Sequence, residues 1–346
     1  MSLHRRSLLA GTAALTLAGA ARAQIRPPSD ADWQKVIEAA RKEGEVSYYS
    51  SGIARIEEPQ MKQFEKDTGL KVKYARPGGA EIIVKKLQAE IAAGKPLADI
   101  ATMTDKALGA WAEQEGMTAP MAIPALGRID PAYPVDSLHN LPTGGFGLPI
   151  IYNTRMLSAD KAPKSYAELA DPRFKDQILL GAPENAGSTT VLIKAWLDRF
   201  GWDYVEKLRR NGVAETRLQA EAAQAVARGE KPICVVAQAW AFTNIKQGAP
   251  LAVIWPEEGV AFTETSFFRL KNGPNPNAAL VLANYMMTAE YQSANIKNAG
   301  VYGSIKGADQ PELFPPISQL KRMQFNQAEL IKQRGAIIDR WRKIMS

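Results

Sequence analysis

From residue 30 onward, short apolar strand-like runs alternate with amphipathic helical stretches, and glycine closes many of the helices. A helix over 30–42, capped by Ser29 or Asp30, ends at Gly44, and a strand follows over 45–50. A helix over 59–68 closes at Gly69, and a strand runs over 70–75. A helix over 81–93 stops at Gly94, and the strand 97–103 leads into a helix over 106–115. After a break the pattern resumes: strands over 147–153, 177–180, 233–237 and 251–255 are interleaved with helices over 189–200, 202–211, 220–228 and 240–247. Helices over 277–287 and 289–298 and helical sequence over 318–345 follow. This alternation implies an α/β protein with mainly parallel, doubly wound sheets.

The break lies over 118–145, where Pro120, Pro124, Pro131, Pro134 and Pro142 crowd into a stretch ending Thr143-Gly144-Gly145. No long periodic element fits there, so it reads as a crossing between domains. Pro256-Glu257-Glu258-Gly259 breaks the pattern again and reads as the return. With 346 residues, two domains are expected.

The first 23 residues carry no acidic residue; Arg5-Arg6 precedes an apolar run over 8–20, and Ala21-Arg22-Ala23 offers a cleavage site before Gln24. This is the pattern of an export signal, and the paired arginines suit the twin-arginine route. Losing Arg5, Arg6 and Arg22 lowers the formal charge from +7 to +4, and the remaining excess is spread along the chain. That spread does not suit nucleic acid, which calls for clustered basic residues. No later apolar run is long enough to cross a bilayer, so no membrane insertion is expected.

Catalytic equipment is sparse. The one cysteine, Cys234, sits in an apolar strand and reads as a buried thiol. Of two histidines, His4 leaves with the export signal and His139 stands alone. No nucleophile elbow, zinc helix, phosphate loop or dinucleotide fingerprint is present. The reading is a non-enzymatic binding protein, with no catalytic residue, metal site or cofactor.

An ordered set of landmarks carries a resemblance: 46–50, Leu97-Ala98-Asp99-Ile100, 147–154, Ala170-Asp171-Pro172-Arg173-Phe174-Lys175, 183–188, Ala227-Arg228-Gly229-Glu230, 255–259 and 275–279. Together they resemble the type II periplasmic solute-binding proteins, in particular the group that includes the ferric-ion binding proteins. The resemblance implies two α/β lobes, each a mostly parallel sheet flanked by helices, joined by a two-strand hinge. It implies a periplasmic monomer that closes on a small-molecule ligand and delivers it to an ABC transporter permease. The expected division is an export signal at 1–23, the first lobe at 24–125 and 256–305, the second at 126–255, and a C-terminal helical segment at 306–346 of unassigned lobe. The first crossing is placed at 118–130 and the return at 256–264.

In such sheets ligands sit beyond the carboxyl ends of strands, where helix N-termini present N–H groups suited to anions. Four turns qualify: Ser50-Ser51-Gly52, the turn containing Gly78 and Gly79, Thr104-Asp105, and Gly187-Ser188-Thr189. Plain helix capping is the competing role for the hydroxyl residues. Tyr49, Tyr152, Phe267 and Trp240 lie near these turns, Gln238 offers a neutral donor and acceptor, and Arg76 and Arg217 could clamp an anion. The ligand expected is a small anion, an organic carboxylate or a phosphorus-containing solute. Ferric iron or an iron chelate is the alternative. The ferric-ion group uses adjacent tyrosines after the strand matching 233–237, whereas this chain reads Ala237-Gln238-Ala239-Trp240-Ala241. Tyr48-Tyr49 is an adjacent pair, but neighbours on a strand face opposite ways and should not chelate one ion.

Overall fold

The computed structural model describes residues 26–346; the segment expected to be an export signal, with the paired arginines and the expected cleavage site, lies outside the described residues. The first lobe begins with helix α1 (Asp30–Glu43), strand β1 (Glu45–Ser50), α2 (Ala54–Thr68), β2 (Lys71–Ala75), α3 (Ala80–Ala92), β3 (Ile100–Met103), α4 (Lys106–Gln114), the short β4 (Thr118–Ala119) and β5 (Leu141–Gly147). Capping chemistry sets α1: the Ser29 hydroxyl accepts from Asp32 N–H, and Gly44 ends the helix at φ 76°. The second lobe holds β6 (Ile150–Asn153), β7 (Ile178–Gly181), α5 (Gly187–Phe200), α6 (Trp202–Arg210), β8 (Ala214–Thr216), α7 (Gln219–Arg228), β9 (Ile233–Val235), α8 (Gln238–Lys246) and β10 (Leu251–Ile254). The chain then adds β11 (Phe262–Leu270), α9 (Pro276–Met286), α10 (Ala289–Ala299) and β12 (Tyr302–Gly303) to the first lobe, and ends in α11 (Gln327–Met345).

The first sheet has the order β12-β5-β11-β3-β1-β2, with β4 also paired to β11; the second has the order β10-β6-β9-β7-β8. Both are mixed, which corrects the expectation of mainly parallel sheets. β2-β1-β3 and β9-β7-β8 are parallel. The strands next to the crossings run antiparallel: β11 against β3 and β5, and β6 against β9 and β10. A chain that leaves one sheet and returns to it arrives from the opposite end, so β11 reverses direction.

Strand β5 belongs to the first sheet, so the chain crosses at Leu148-Pro149, downstream of the expected 118–130. Glycines hide this strand from propensity. They are required by close packing: a Cβ on Gly144 (φ 130°) would overlap the Tyr302 carbonyl, and one on Gly145 would lie 2.5 Å from the Phe262 ring. The return runs through 255–261 between β10 and β11. The two crossings are bonded together: Leu148 N–H donates to Ala261 O at 2.9 Å. Buried Tyr166 bridges them, its hydroxyl donating to Leu148 O at 2.7 Å and accepting from Ala261 N–H at 3.1 Å.

A third passage follows β12. Residues 304–326 lead back to the second lobe, where Leu330, Ile337 and Trp341 of α11 join the core built on β6, β7 and β9. The C-terminal helix therefore belongs to the second lobe. Its Arg334 reaches the other lobe, with Nη1 donating to Asp105 Oδ2 at 2.6 Å and Nη2 to Glu81 Oε1 at 2.7 Å.

Candidate ligand-binding cleft

A cavity of about 750 Å³ lies between the lobes. Five helices begin on its wall: α2 at Ile53, α3 at Gly79, α5 at Ala186, α7 at Leu218 and α8 at Ala237. Four of them, α2, α3, α5 and α8, have no side-chain cap at the N-terminus. Away from the cavity α1, α4, α10 and α11 are capped by Ser29, Asp105, Thr288 and Asn326 and the first turn of α9 is held by the Glu43 carboxylate, whereas α6 also starts without a side-chain cap. At α7 the Glu221 carboxylate accepts from Leu218 N–H at 3.1 Å. Uncapped N-termini leave outward N–H groups and a partial positive charge facing the cavity.

Of the residues expected at the site, Ser51, Gly52, Gly78, Gly79, Thr104, Gly187, Ser188 and Trp240 line this cavity, as do Arg76 and Arg217. The Ser51 hydroxyl is already engaged, accepting from Thr104 N–H at 2.9 Å and so tying the ends of β1 and β3 together. Glycine at 79 suits the close approach of the lobes, since a Cβ there would sit 3.0 Å from Asn185 O.

Other expected contacts are placed elsewhere. Ser50 is buried and accepts from Gly52 N–H at 2.9 Å, shaping the turn. Tyr49 points away from the cleft, and its hydroxyl donates to Glu90 Oε1 at 2.8 Å. Its neighbour Tyr48 occupies the opposite face of the sheet, as strand alternation requires. Tyr152 is packed in the second-lobe core, and Phe267 in the first. Asp105 caps α4 through Ala107 N–H at 2.9 Å and pairs with Arg334. Gln238 is fully buried and holds the first lobe: Oε1 accepts from Gly147 N–H at 2.7 Å and Nε2 donates to Gly300 O. Cys234 is buried, and burial pushes its thiol well up.

Three residues carry more of the site than their sequence context suggests. Gln219 Nε2 donates to both Ser188 Oγ, at 3.0 Å, and Thr189 Oγ1, at 2.9 Å, while its Oε1 accepts from Ala237 N–H at 2.9 Å. One side chain thus locks the starts of α5 and α8 together, and Ser188 keeps its own proton for the cavity. Glu57, buried on α2, lines the cavity and accepts from the hydroxyls of Tyr74 at 2.9 Å and Tyr48 at 3.4 Å. Burial pushes its carboxyl above the ordinary value, against the lowering effect of its hydrogen bonds. Arg334 is the third, tying α11 to Glu81, Asp105 and the Gly187 carbonyl. Among the described residues, no group of three or more His, Cys, Asp or Glu could hold a metal ion, and no helix is long and apolar enough to cross a membrane.

Comparison with known proteins places this architecture. Residues 95–334 match the family model described as bacterial extracellular solute-binding protein. An uncharacterized protein of Haemophilus influenzae is 24% identical over 208 residues, covering 57% of this chain and 59% of that protein, so the chain spans less than two thirds of that relative. A putative 2-aminoethylphosphonate-binding periplasmic protein of Salmonella typhimurium is 22% identical over 246 residues, 68% of this chain and 69% of that protein. The structure of the periplasmic binding protein AfuA from Actinobacillus pleuropneumoniae, with fructose-6-phosphate bound, matches with a TM-score of 0.79. Identity there is 22%, over 87% of this chain and 98% of that one, a likeness of fold. Because the family match takes in more than half of its length, the chain belongs to the bacterial extracellular solute-binding proteins and is a ligand-binding protein rather than an enzyme.

Proposed function

We propose that the protein captures a small anionic solute in the interlobe cavity, as a periplasmic monomer, and presents it to the permease of an ABC importer. The observation that carries this reading is the set of uncapped N-termini of α3, α5 and α8 facing one cavity from both lobes; α2, whose first turn carries the Glu57 carboxylate, stands apart from them. Convergent N–H groups with aligned helix dipoles form an anion site without needing a dedicated cationic side chain. Arg76 and Arg217 add positive charge at its edge. Phosphorus-containing ligands fit this chemistry. The Salmonella relative is described as binding an aminoalkylphosphonate, and the AfuA structure holds a sugar phosphate. Closure of the lobes about the paired crossings would seal the ligand from water and give the permease a shape to read.

A thermal-shift screen of the protein against phosphonates, phosphate esters and small carboxylates tests the reading. A true ligand raises the melting temperature with concentration and is recovered unchanged. Ser188→Ala should weaken binding by about 1 kcal/mol, because its hydroxyl proton is available to the cavity. Failure of every anion to stabilise the protein sinks the proposal. Ferric citrate belongs in the same screen. Burial pushes the hydroxyls of Tyr48, Tyr74 and Tyr291 well up, which works against phenolate ligation. A strong, tyrosine-dependent charge-transfer band on titration with ferric citrate would overturn the anion reading in favour of iron.

A further inference from the structure

At the end of the cavity formed by α2 and α10 the wall carries a buried carboxylate beside the more exposed Arg55 and Arg76. Glu57 is 7% exposed, lines the cavity, and forms no ion pair with a described residue. Arg76 acts on it only from a distance: that side chain is exposed, and its Nε donates to the Gly52 carbonyl. The donors around the carboxylate are hydroxyls, those of Ser50, Tyr74 and Tyr48. Tyr74 and Tyr48 bond to it, their rings 5.6 Å apart between centroids, and Tyr291 of α10 completes an aromatic wall around it. One helical turn beyond Glu57, buried Gln60 leaves its Oε1 without a partner. On the cavity side this corner offers the carboxylate and the Tyr291 ring, the surroundings that attract a cation, while Gln60, Tyr48 and Tyr74 lie behind them and do not line the cavity. A carboxylate kept out of water with no counter-ion is costly to a fold, and a cation arriving with the ligand removes that cost.

We infer that Glu57 receives an ammonium group of the ligand, so that the captured solute is a zwitterion with an amine at one end and a phosphonate, phosphate or carboxylate at the other. This rests on the reading of the helix N-termini as the anion site, which holds the opposite end. The phenols orient the carboxylate, and Tyr74 is a positioning residue.

Isothermal titration of the protein with 2-aminoethylphosphonate, ethylphosphonate and putrescine separates the two ends. The wild type should bind the amine-bearing phosphonate about tenfold or more tightly than ethylphosphonate, the usual effect of one charge-assisted hydrogen bond. In Glu57→Gln, shown by circular dichroism to be folded, that preference should shrink to about twofold while ethylphosphonate binding is kept. In Tyr74→Phe the preference should fall to an intermediate value, a readout that serves equally if Glu57→Gln does not fold. Equal affinity of the wild type for both phosphonates overturns the inference and leaves the anion site standing. So does a full preference surviving in either variant. Tight binding of putrescine with no binding of either phosphonate keeps the Glu57 site and overturns the anion reading. Binding of none of the three overturns both.

Discussion

In the unfolded chain water solvates the Glu57 carboxylate, whereas in the folded protein burial raises its protonation equilibrium above the ordinary value. The folded state therefore holds more protons than the unfolded state between those two values, and stability contributed at low pH is lost as pH rises through that window. Glu57→Gln removes the titration. The ligand-free variant should melt at a higher temperature than the wild type at pH 7, with the gap narrowing towards pH 4. Equal melting temperatures at both pH values would show that the phenols already compensate the charge. A side chain that lowers stability while it improves a site is a familiar exchange in binding proteins. Glu57 was not legible as a site residue, because Pro59 reads naturally as the first residue of a helix. The helix instead starts at Ala54 and carries the proline in its second turn, which brings Glu57 onto the wall. Ser51, Thr104 and Ser188 were legible, since a small hydroxyl residue after a strand and before a helix marks a turn in sequence alone. Gln238 was misleading for the same reason: its position is right, but its amide is consumed by Gly147 and Gly300.

The starts of α5 and α8 depend on one amide. Gln219→Leu keeps the volume but leaves the Ser188 and Thr189 hydroxyls and the Ala237 N–H without that partner. A buried group so stranded costs about 1–3 kcal/mol. A lower midpoint in urea denaturation should accompany weaker ligand binding, because two of the uncapped N-termini lose their mutual register. An unchanged midpoint and affinity would mean that the helices hold their places without Gln219. Its role escapes the sequence because the helical pattern there begins at Ala220, whereas the helix starts one residue earlier. Elsewhere the elements of this chain are well marked where glycine stops an amphipathic helix, as at Gly44, Gly69 and Gly229. They are poorly marked where glycine serves packing instead. Strand β5, with Gly144, Gly145 and Gly147, looks like a linker in sequence yet pairs with two neighbours in the first sheet. That single element moves the first crossing downstream, to Leu148-Pro149.

Across the whole molecule the lobes are joined by paired crossings and by the Arg334 cluster. Arg334→Met would keep the stem of the side chain but leave Asp105, 2% exposed, and Glu81 without their cation. Removing one partner of a buried ion pair costs about 3 kcal/mol or more. The variant should unfold at lower denaturant and show a larger radius of gyration by small-angle scattering without ligand, as the lobes part. Unchanged scattering with reduced stability would make the cluster a packing device and not a tie between lobes. The cluster also depends on the last helix of the second lobe, and that has a consequence for how the protein is made. The first sheet needs β11 and β12, which come after every strand of the second. The second core in turn needs Leu330, Ile337 and Trp341. The first lobe stays incomplete until every strand of the second has been translated, and the second until the last helix is made, although domains commonly fold as units in chain order. Each half-built core waits, with apolar surface exposed, for sequence that has not yet been translated. A chain stalled before residue 327 would display an open groove along β6, β7 and β9, and would be a ready target for chaperones and proteases.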